Sequence, residues 1–345
     1  MTGFFKALGP HGFGTYEVTI SPEGDASFEA RDGEAEALLV PGFVDIHIHG
    51  AFGIDFMSAS AAEMGSLSKD LRDQGYEHFL PTTVTASLEA VEGAIANLPS
   101  NSMVVGFHLE GPFISPVFPG AQPKEFILGA YALTPAWKSI LSEPRLKVAT
   151  VAPEILGGMS LIRTLSSHGV RVGMGHTNAS FAEAKAGREA GASHTTHTYN
   201  AMRPLHHREA GMVGFALTDD GLGCELIYDR LHVCRDAAAL LVKCKPSDKL
   251  IGISDGTKAA GLAPGTKVDM WGSAGTVGNG DVRLADGTLA GSAATLKDVF
   301  LNMLEDFGPE TAIRACCLNP RRLLGLRPPP RVWLKVIGRE ITLLA

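Results

Sequence analysis

From Gly42 onward the chain alternates short apolar, β-branched runs with longer stretches rich in Ala, Leu and Glu. The apolar runs are Phe43–His49, His78–Thr85, Met103–Glu110, Leu146–Ala152, Val170–His176, Ser193–Tyr199, Cys224–Tyr228 and Leu250–Asp255. Each has the length and composition of a strand. Between most of them lie stretches such as Ser180–Ala190 and Asp236–Lys243, which read as helices. Eight strand–helix units predict an α/β fold, a parallel (β/α)8 TIM-like barrel rather than an open sheet. The chain ends read differently. Thr15–Ile20 alternates polar and apolar residues, Ser21–Asp25 is turn-forming, and Ala37–Val40 is a short strand. Arg331–Ile337 and Glu340–Leu344 are two more strands, joined at Gly338 and Arg339. A small β-domain built from residues 1–40 and 327–345, beside a barrel over 41–326, is expected. Trp271–Ala290, with its NGDVRLADGTLAG run, reads as a hairpin excursion after the eighth strand.

Composition narrows the class. A chain of 345 residues with 45% hydrophobic content and 40 glycines fits a compact α/β enzyme. A net charge of -7 offers no basic footprint for nucleic acid, yet a local Arg and His pair can still bind one phosphate. No stretch has the apolar length to span a membrane, and the first residues lack the pattern of a signal peptide. The five cysteines include no C-x-x-C pair and are odd in number, the ordinary thiol usage of a reducing compartment. A cytoplasmic location is expected.

The candidate chemistry sits where the strands end. PGFVDIHIHG puts His47 and His49 two residues apart in an apolar strand, so both imidazoles are expected to face one way. Taken alone, they could be two satisfied core histidines. In a barrel, however, the working face lies at the C-terminal ends of the strands. Strand three ends in His108-Leu109-Glu110, strand five in Gly175-His176, strand six carries His194 and His197, and strand eight ends in Ser254-Asp255-Gly256. Each residue has a plainer role available. Asp255 could cap a helix, Glu110 could pair with a cation, and His176 could bond within its loop. His194 differs in parity from His197 and reads as structural. Five strand ends converging with histidines and carboxylates nevertheless predict a site for a divalent metal, zinc or a related ion.

The runs HLEGPFISP, GHTNAS, THTYNAMRPLHHREAG, DRLHV, ISDGTKAAG and GTLAGSAATL, spread from Pro41 to Leu326, together resemble the N-acetylglucosamine-6-phosphate deacetylases of the amidohydrolase superfamily. The resemblance implies that Glu110, His176 and His197 hold a primary metal, that His47 and His49 add a second, and that Asp255 is the catalytic acid/base and a metal ligand. Ala121, Gln122, Asn200, Ala201, Arg208, Asp229 and His232 match substrate contacts, with Arg208 and His232 holding the phosphate and the reacting end. Leu289, Ala290 and Gly291 match a loop over the sugar. The chain also departs from the pattern. Gln122 stands where the family has a histidine and cannot be cationic. Arg230 replaces the glycine of Asp-Gly-x-His, Ala210 replaces a proline, and both ends are short.

Amide hydrolysis needs a nucleophile at neutral pH, oxyanion stabilisation and a proton for the leaving amine. A metal-bound water, its pKa lowered to about 7, supplies the first. The metal and His232 supply the second, and Asp255 the third. The resemblance implies deacetylation of N-acetylglucosamine 6-phosphate by a homodimer in which Arg208 reaches the neighbouring active site. Two other readings are an amidohydrolase for another N-acyl sugar or a cyclic amide, and a non-catalytic sugar-phosphate sensor. Strand four ends Val151-Ala-Pro-Glu154 without the lysine that bridges metals in many cyclic amidohydrolases, and a sensor has no use for Asp255.

Overall fold

A computed structural model of the chain describes residues 1–131, 133–270, 273–285, 287, 289–326 and 329–344; the side chains of 273, 289 and 290 lie outside that description. Among the described residues, eight strands form the central ring: β1 (Phe43–Ile48), β2 (Tyr76–Pro81), β3 (Phe107–Glu110), β4 (Leu146–Val151), β5 (Arg171–Met174), β6 (His194–Thr195), β7 (Gly223–Ile227) and β8 (Leu250–Ile253). β3 to β8 form one continuous parallel sheet and β1 pairs with β2. Parallel bridges Phe79 to Val104, Thr82 to His108 and Ile48 to Gly256 complete the circle. A helix follows each strand, from Ala61–Asp73 after β1 to Leu296–Phe307 after β8. The predicted (β/α)8 barrel is therefore the observed one.

The barrel interior has an apolar and a polar part. Val44, Ile46, Leu80, Val148, Ile227, Ile251 and Ile253 form an apolar plug against Leu323, Leu324 and Leu326. Filling the centre with branched side chains is the usual solution for this fold. Beside this plug runs a polar network. His108 Nε2 lies 2.8 Å from Thr150 Oγ1, which lies 2.9 Å from Thr196 Oγ1. Along β1, Val44 and Ile46 belong to the plug, whereas His47 and His49 join the polar cluster beside it. Simple alternation does not allow both. The β1–β2 register shifts between Asp45 and Ile48, and there the chain switches faces. Asp45 Oδ1 supports this irregularity by accepting from the backbone N–H of His47.

Both chain ends build a second sheet, in the order Glu340–Leu343, Trp333–Ile337, Leu38–Pro41, Thr2–Gly9, Gly12–Ile20, Ala26–Ala30. Phe5, Ala7, Tyr16, Val18, Ile20, Leu39 and Trp333 form its core. Leu38–Pro41 runs parallel to Thr2–Gly9 and antiparallel to Trp333–Ile337, so it joins the two ends of the chain. Sequence patterning misses Thr2–Gly9 and Ala26–Ala30, which lack strict alternation and are held by pairing with Gly12–Ile20. The excursion after β8 is larger than a hairpin. It is a four-stranded meander of Lys267–Met270, Ser273–Val277, Asp281–Leu284 and Leu289–Ser292.

Candidate active site

The strand ends of β1, β3, β5, β6 and β8 converge on two triads, Glu110/His176/His197 and His47/His49/Asp255. His176, His197 and Asp255 have φ of +44°, +29° and +46°, left-handed values that non-glycine residues seldom adopt. Backbone strain of this kind collects at functional sites. Gly120, with φ of +56°, passes so close to the His176 ring that a Cβ would lie 3.2 Å from its Cε1. A side chain there would crowd that imidazole.

Glu110 links the triads. Its Oε1 lies 3.3 Å from His47 Nε2, 3.2 Å from His176 Nε2 and 3.1 Å from His197 Nε2. Its Oε2 lies 3.3 Å from His49 Nε2. Asp255 Oδ1 lies 3.2 Å from both His47 Nε2 and His49 Nε2. His176 Nε2 and His197 Nε2 are 3.0 Å apart.

The opposite nitrogen of every ring faces an acceptor. His49 Nδ1 faces Thr82 O at 3.1 Å, His176 Nδ1 faces Phe118 O at 3.1 Å, and His197 Nδ1 faces Asn200 O at 3.2 Å. His47 Nδ1 lies 3.2 Å from Glu225 Oε2. In neutral rings the proton then sits on Nδ1, and four Nε2 lone pairs converge with carboxylate oxygens. Lone pairs cannot satisfy one another. Among the described residues, His47 Nε2 is also a buried atom with no hydrogen-bond partner. Spacings of 3.0–3.3 Å suit ligands of one ion, since zinc–nitrogen and zinc–oxygen bonds are about 2.0–2.2 Å. The donor set fits a divalent cation. The carboxylates also favour positive charge in the cluster. Burial opposes the charged form of His49, but Asp255 and Glu110 raise its pKa to about 9. Burial likewise opposes the Glu110 charge, yet His47, His176 and His197 hold that carboxylate well below its usual range.

A cavity of about 230 Å³ opens over this cluster. Of the residues named for substrate contact, Ala121, Gln122, Asn200, Ala201, His232 and Gly291 line it. Val84, Gly120, Pro123, Ile227 and Thr257 line it as well. Thr257 could have been found from its place two residues after Asp255; the others carry no chemical signal. Gln122 does more than face the cavity. Its Nε2 donates to Glu110 Oε2 at 2.7 Å, and its Oε1 accepts from Thr85 N at 2.7 Å.

Two expected substrate contacts lie elsewhere. Asp229 is behind the cavity wall: its Oδ1 accepts from Leu231 N and His232 N, and its Oδ2 lies 2.5 Å from His232 Nδ1. Asp229 thus orients His232 and raises its pKa, against the effect of burial. Arg208 is exposed, with Nη1 2.8 Å from His207 Nε2, and does not line the cavity of its own chain. Arg230 has φ of +68°, which explains why glycine suits that position, and its guanidinium pairs with Glu305 and Asp306 at 2.8 and 2.7 Å. The side chains of Leu289 and Ala290 lie outside the described residues. His194 is not in either triad; its Nδ1 is 2.8 Å from Ser193 Oγ and its Nε2 3.2 Å from Glu225 Oε1. Glu225 itself was missed. An acid inside the apolar run CELIY is the same signal of costly burial that marks His47.

A (β/α)8 barrel with histidines and carboxylates gathered at its C-terminal face is the architecture of metal-dependent hydrolases. The amidohydrolase family profile matches residues 38–328, and the chain belongs to that family. It is 40% identical over 282 residues to N-acetylglucosamine-6-phosphate deacetylase of Bacillus subtilis, covering 79% of this chain and 71% of that protein. It is 36% identical over 309 residues to N-acetylgalactosamine-6-phosphate deacetylase of Escherichia coli O157:H7, covering 87% and 81%. The crystal structure of N-acetylglucosamine-6-phosphate deacetylase from Thermotoga maritima superposes with a TM-score of 0.84 at 29% identity, over 99% of both chains. A Mycobacterium smegmatis N-acetyl-D-glucosamine-6-phosphate deacetylase, an Asp-to-Ala mutant in complex with N-acetyl-D-glucosamine 6-phosphate, gives 0.84 at 27% identity over 96% and 93%.

Proposed function

We propose that this chain removes the acetyl group from N-acetylglucosamine 6-phosphate, giving glucosamine 6-phosphate and acetate in amino-sugar catabolism. The observation that carries the reading is the convergence of four imidazole Nε2 atoms with Glu110 and Asp255 under a cavity. The named relatives and their substrate-bound neighbour support the substrate class.

Glu110, His176 and His197 would hold one zinc ion, and His47, His49 and Asp255 a second, with Glu110 shared. A divalent ion there supplies Lewis acidity for the acetyl carbonyl and acidifies water. Asp255 takes a proton from the attacking water as its oxygen bonds to the carbonyl carbon. The carbon–nitrogen bond then breaks as Asp255 returns the proton to the sugar nitrogen, and acetate leaves. His232, held by Asp229, points a nitrogen at the developing oxyanion. Asn200, Ala201 and Gly291 meet the sugar, and Gln122 steadies Glu110 while facing it. Arg208, with a planar fork suited to phosphate oxygens, serves the partner subunit's cavity in a homodimer. A cytoplasmic location fits the thiol usage; among the described residues, no helix is long and apolar enough to cross a membrane.

The galactosamine epimer is the second reading, favoured by the Escherichia coli relative. Acetate release by the zinc-loaded protein from N-acetylglucosamine 6-phosphate, N-acetylgalactosamine 6-phosphate and unphosphorylated N-acetylglucosamine tests both. The glucosamine ester is expected to give the highest kcat/KM. Higher kcat/KM for the galactosamine ester would replace it, equal rates on the unphosphorylated sugar would remove the phosphate assignment, and no release would overturn the enzyme reading.

A further inference from the structure

Beneath the two triads, in the middle of β7, Glu225 is fully buried in the barrel interior. Its carboxylate reaches three histidines. Oε2 lies 3.2 Å from His47 Nδ1 and accepts from the backbone N–H of His197 at 3.0 Å, while Oε1 lies 3.2 Å from His194 Nε2. Its backbone carbonyl accepts from Thr198 N at 2.9 Å. A single residue therefore grips the His47 ring of one triad and the strained backbone of His197 in the other.

The four triad imidazoles are not supported alike. The outer nitrogens of His49, His176 and His197 face neutral backbone carbonyls, whereas that of His47 faces a carboxylate. A carboxylate behind a histidine fixes the tautomer and ring orientation and makes the far nitrogen a stronger donor. It also adds negative charge behind a triad whose own charge comes from Asp255.

We propose that Glu225 is a positioning residue that sets metal occupancy of the His47/His49/Asp255 triad, and so decides whether the site works with one ion or two. This rests on the metal reading above. Glu225 does so through His47, holding Nδ1 protonated and Nε2 aimed at Glu110 and Asp255. The competing role is structural: a buried carboxylate that merely lies against the His194 ring and accepts from the His197 amide.

Titration of the chelator-stripped full chain with Zn2+, against a chromophoric competitor, separates the two. The wild type is expected to bind two ions in distinguishable steps, with His47→Ala losing the weaker one. Glu225→Gln keeps the shape and one acceptor oxygen but removes the charge and turns the other oxygen into an NH2 donor. It should weaken the weaker step by about 10–100-fold, the usual range for such supporting groups, and change the tighter step less than about threefold. In a His47→Ala background it should change nothing further. Equal weakening of both steps, no weakening, or an undiminished effect without His47 would overturn the proposal while leaving the metal site standing. A wild type that binds no Zn2+ would overturn both. If Glu225→Gln does not fold, Glu225→Asp carries the test. Its shorter reach should weaken the same step and only that step; two unchanged steps would overturn the proposal.

Discussion

Asp255 separates a catalyst from a well-folded barrel most sharply. It takes a left-handed φ and touches both histidines of its triad. Asn tolerates that backbone and nearly matches its shape, so Asp255→Asn should leave the thermal midpoint close to the wild type. Turnover should fall at least about 100-fold, the lower end for losing a general acid–base group, with metal content followed in parallel. A metal-loaded variant with most of its turnover would make Asp255 structural. Arg230 predicts the opposite pattern. Glycine at φ of +68° would relieve backbone strain of about 1 kcal/mol or more, while the half-exposed pairs with Glu305 and Asp306 are worth about 0–1 kcal/mol each. Arg230→Gly should therefore shift stability by no more than about 1 kcal/mol and leave KM for the sugar phosphate unchanged, as urea unfolding and steady-state kinetics would record. Much of the site was legible in the sequence because metal chemistry demands rare residue types at strand ends. Supporting roles were harder to read than ligand roles. Asp229 acts through His232, Glu225 through His47, and the face switch in β1 comes from a register irregularity that no spacing announces.

At the scale of elements, the barrel helices begin on local signals that the sequence does carry. Ser180 caps the helix Phe181–Glu189: its Oγ accepts from Glu183 N at 3.3 Å, and Glu183 Oε2 accepts from Ser180 N at 2.8 Å. Losing such a cap costs about 1 kcal/mol, which Ser180→Ala should show in denaturant unfolding. The reciprocal bond also carries a pH signature. The Ser180 N–H and hydroxyl hold the Glu183 carboxyl below its ordinary value in the folded protein. A lowered folded pKa stabilises above the unfolded value and is lost as pH falls through the folded one. Wild-type stability should thus fall below the ordinary glutamate pKa by more than that of Glu183→Gln. Parallel acid limbs for the two proteins would contradict this. Strand pairing was less legible than capping. Thr2–Gly9 has no alternation of its own, and its place is set by eight residues of register with Gly12–Ile20. The meander after β8 likewise exceeds its reading as one hairpin, because its edges are fixed by cross-strand partners.

For the whole molecule, the central question is whether one chain completes its own site. Arg208 is exposed and stands outside the cavity, and Leu205 three residues before it is exposed as well. If it serves a partner, sites can be repaired by mixing. Arg208→Ala and Asp255→Asn proteins should each be nearly inactive on the phosphorylated sugar. A dimer containing one of each keeps one complete site, with the Asp255 of one subunit and the Arg208 of the other. Unfolding and refolding the mixture should recover turnover that neither parent has. No recovery, with dimers confirmed by sedimentation, would place Arg208 on its own chain or outside the reaction.

The small sheet imposes an order on synthesis. Leu38–Pro41 is made long before its neighbour Trp333–Ile337. Until Trp333–Ile337 has been made, the Leu38–Pro41 strand lacks that neighbour. Messages cut short before Trp333–Ile337 would yield chains that hold both triads but keep that edge unpaired, ready substrates for chaperones and proteases.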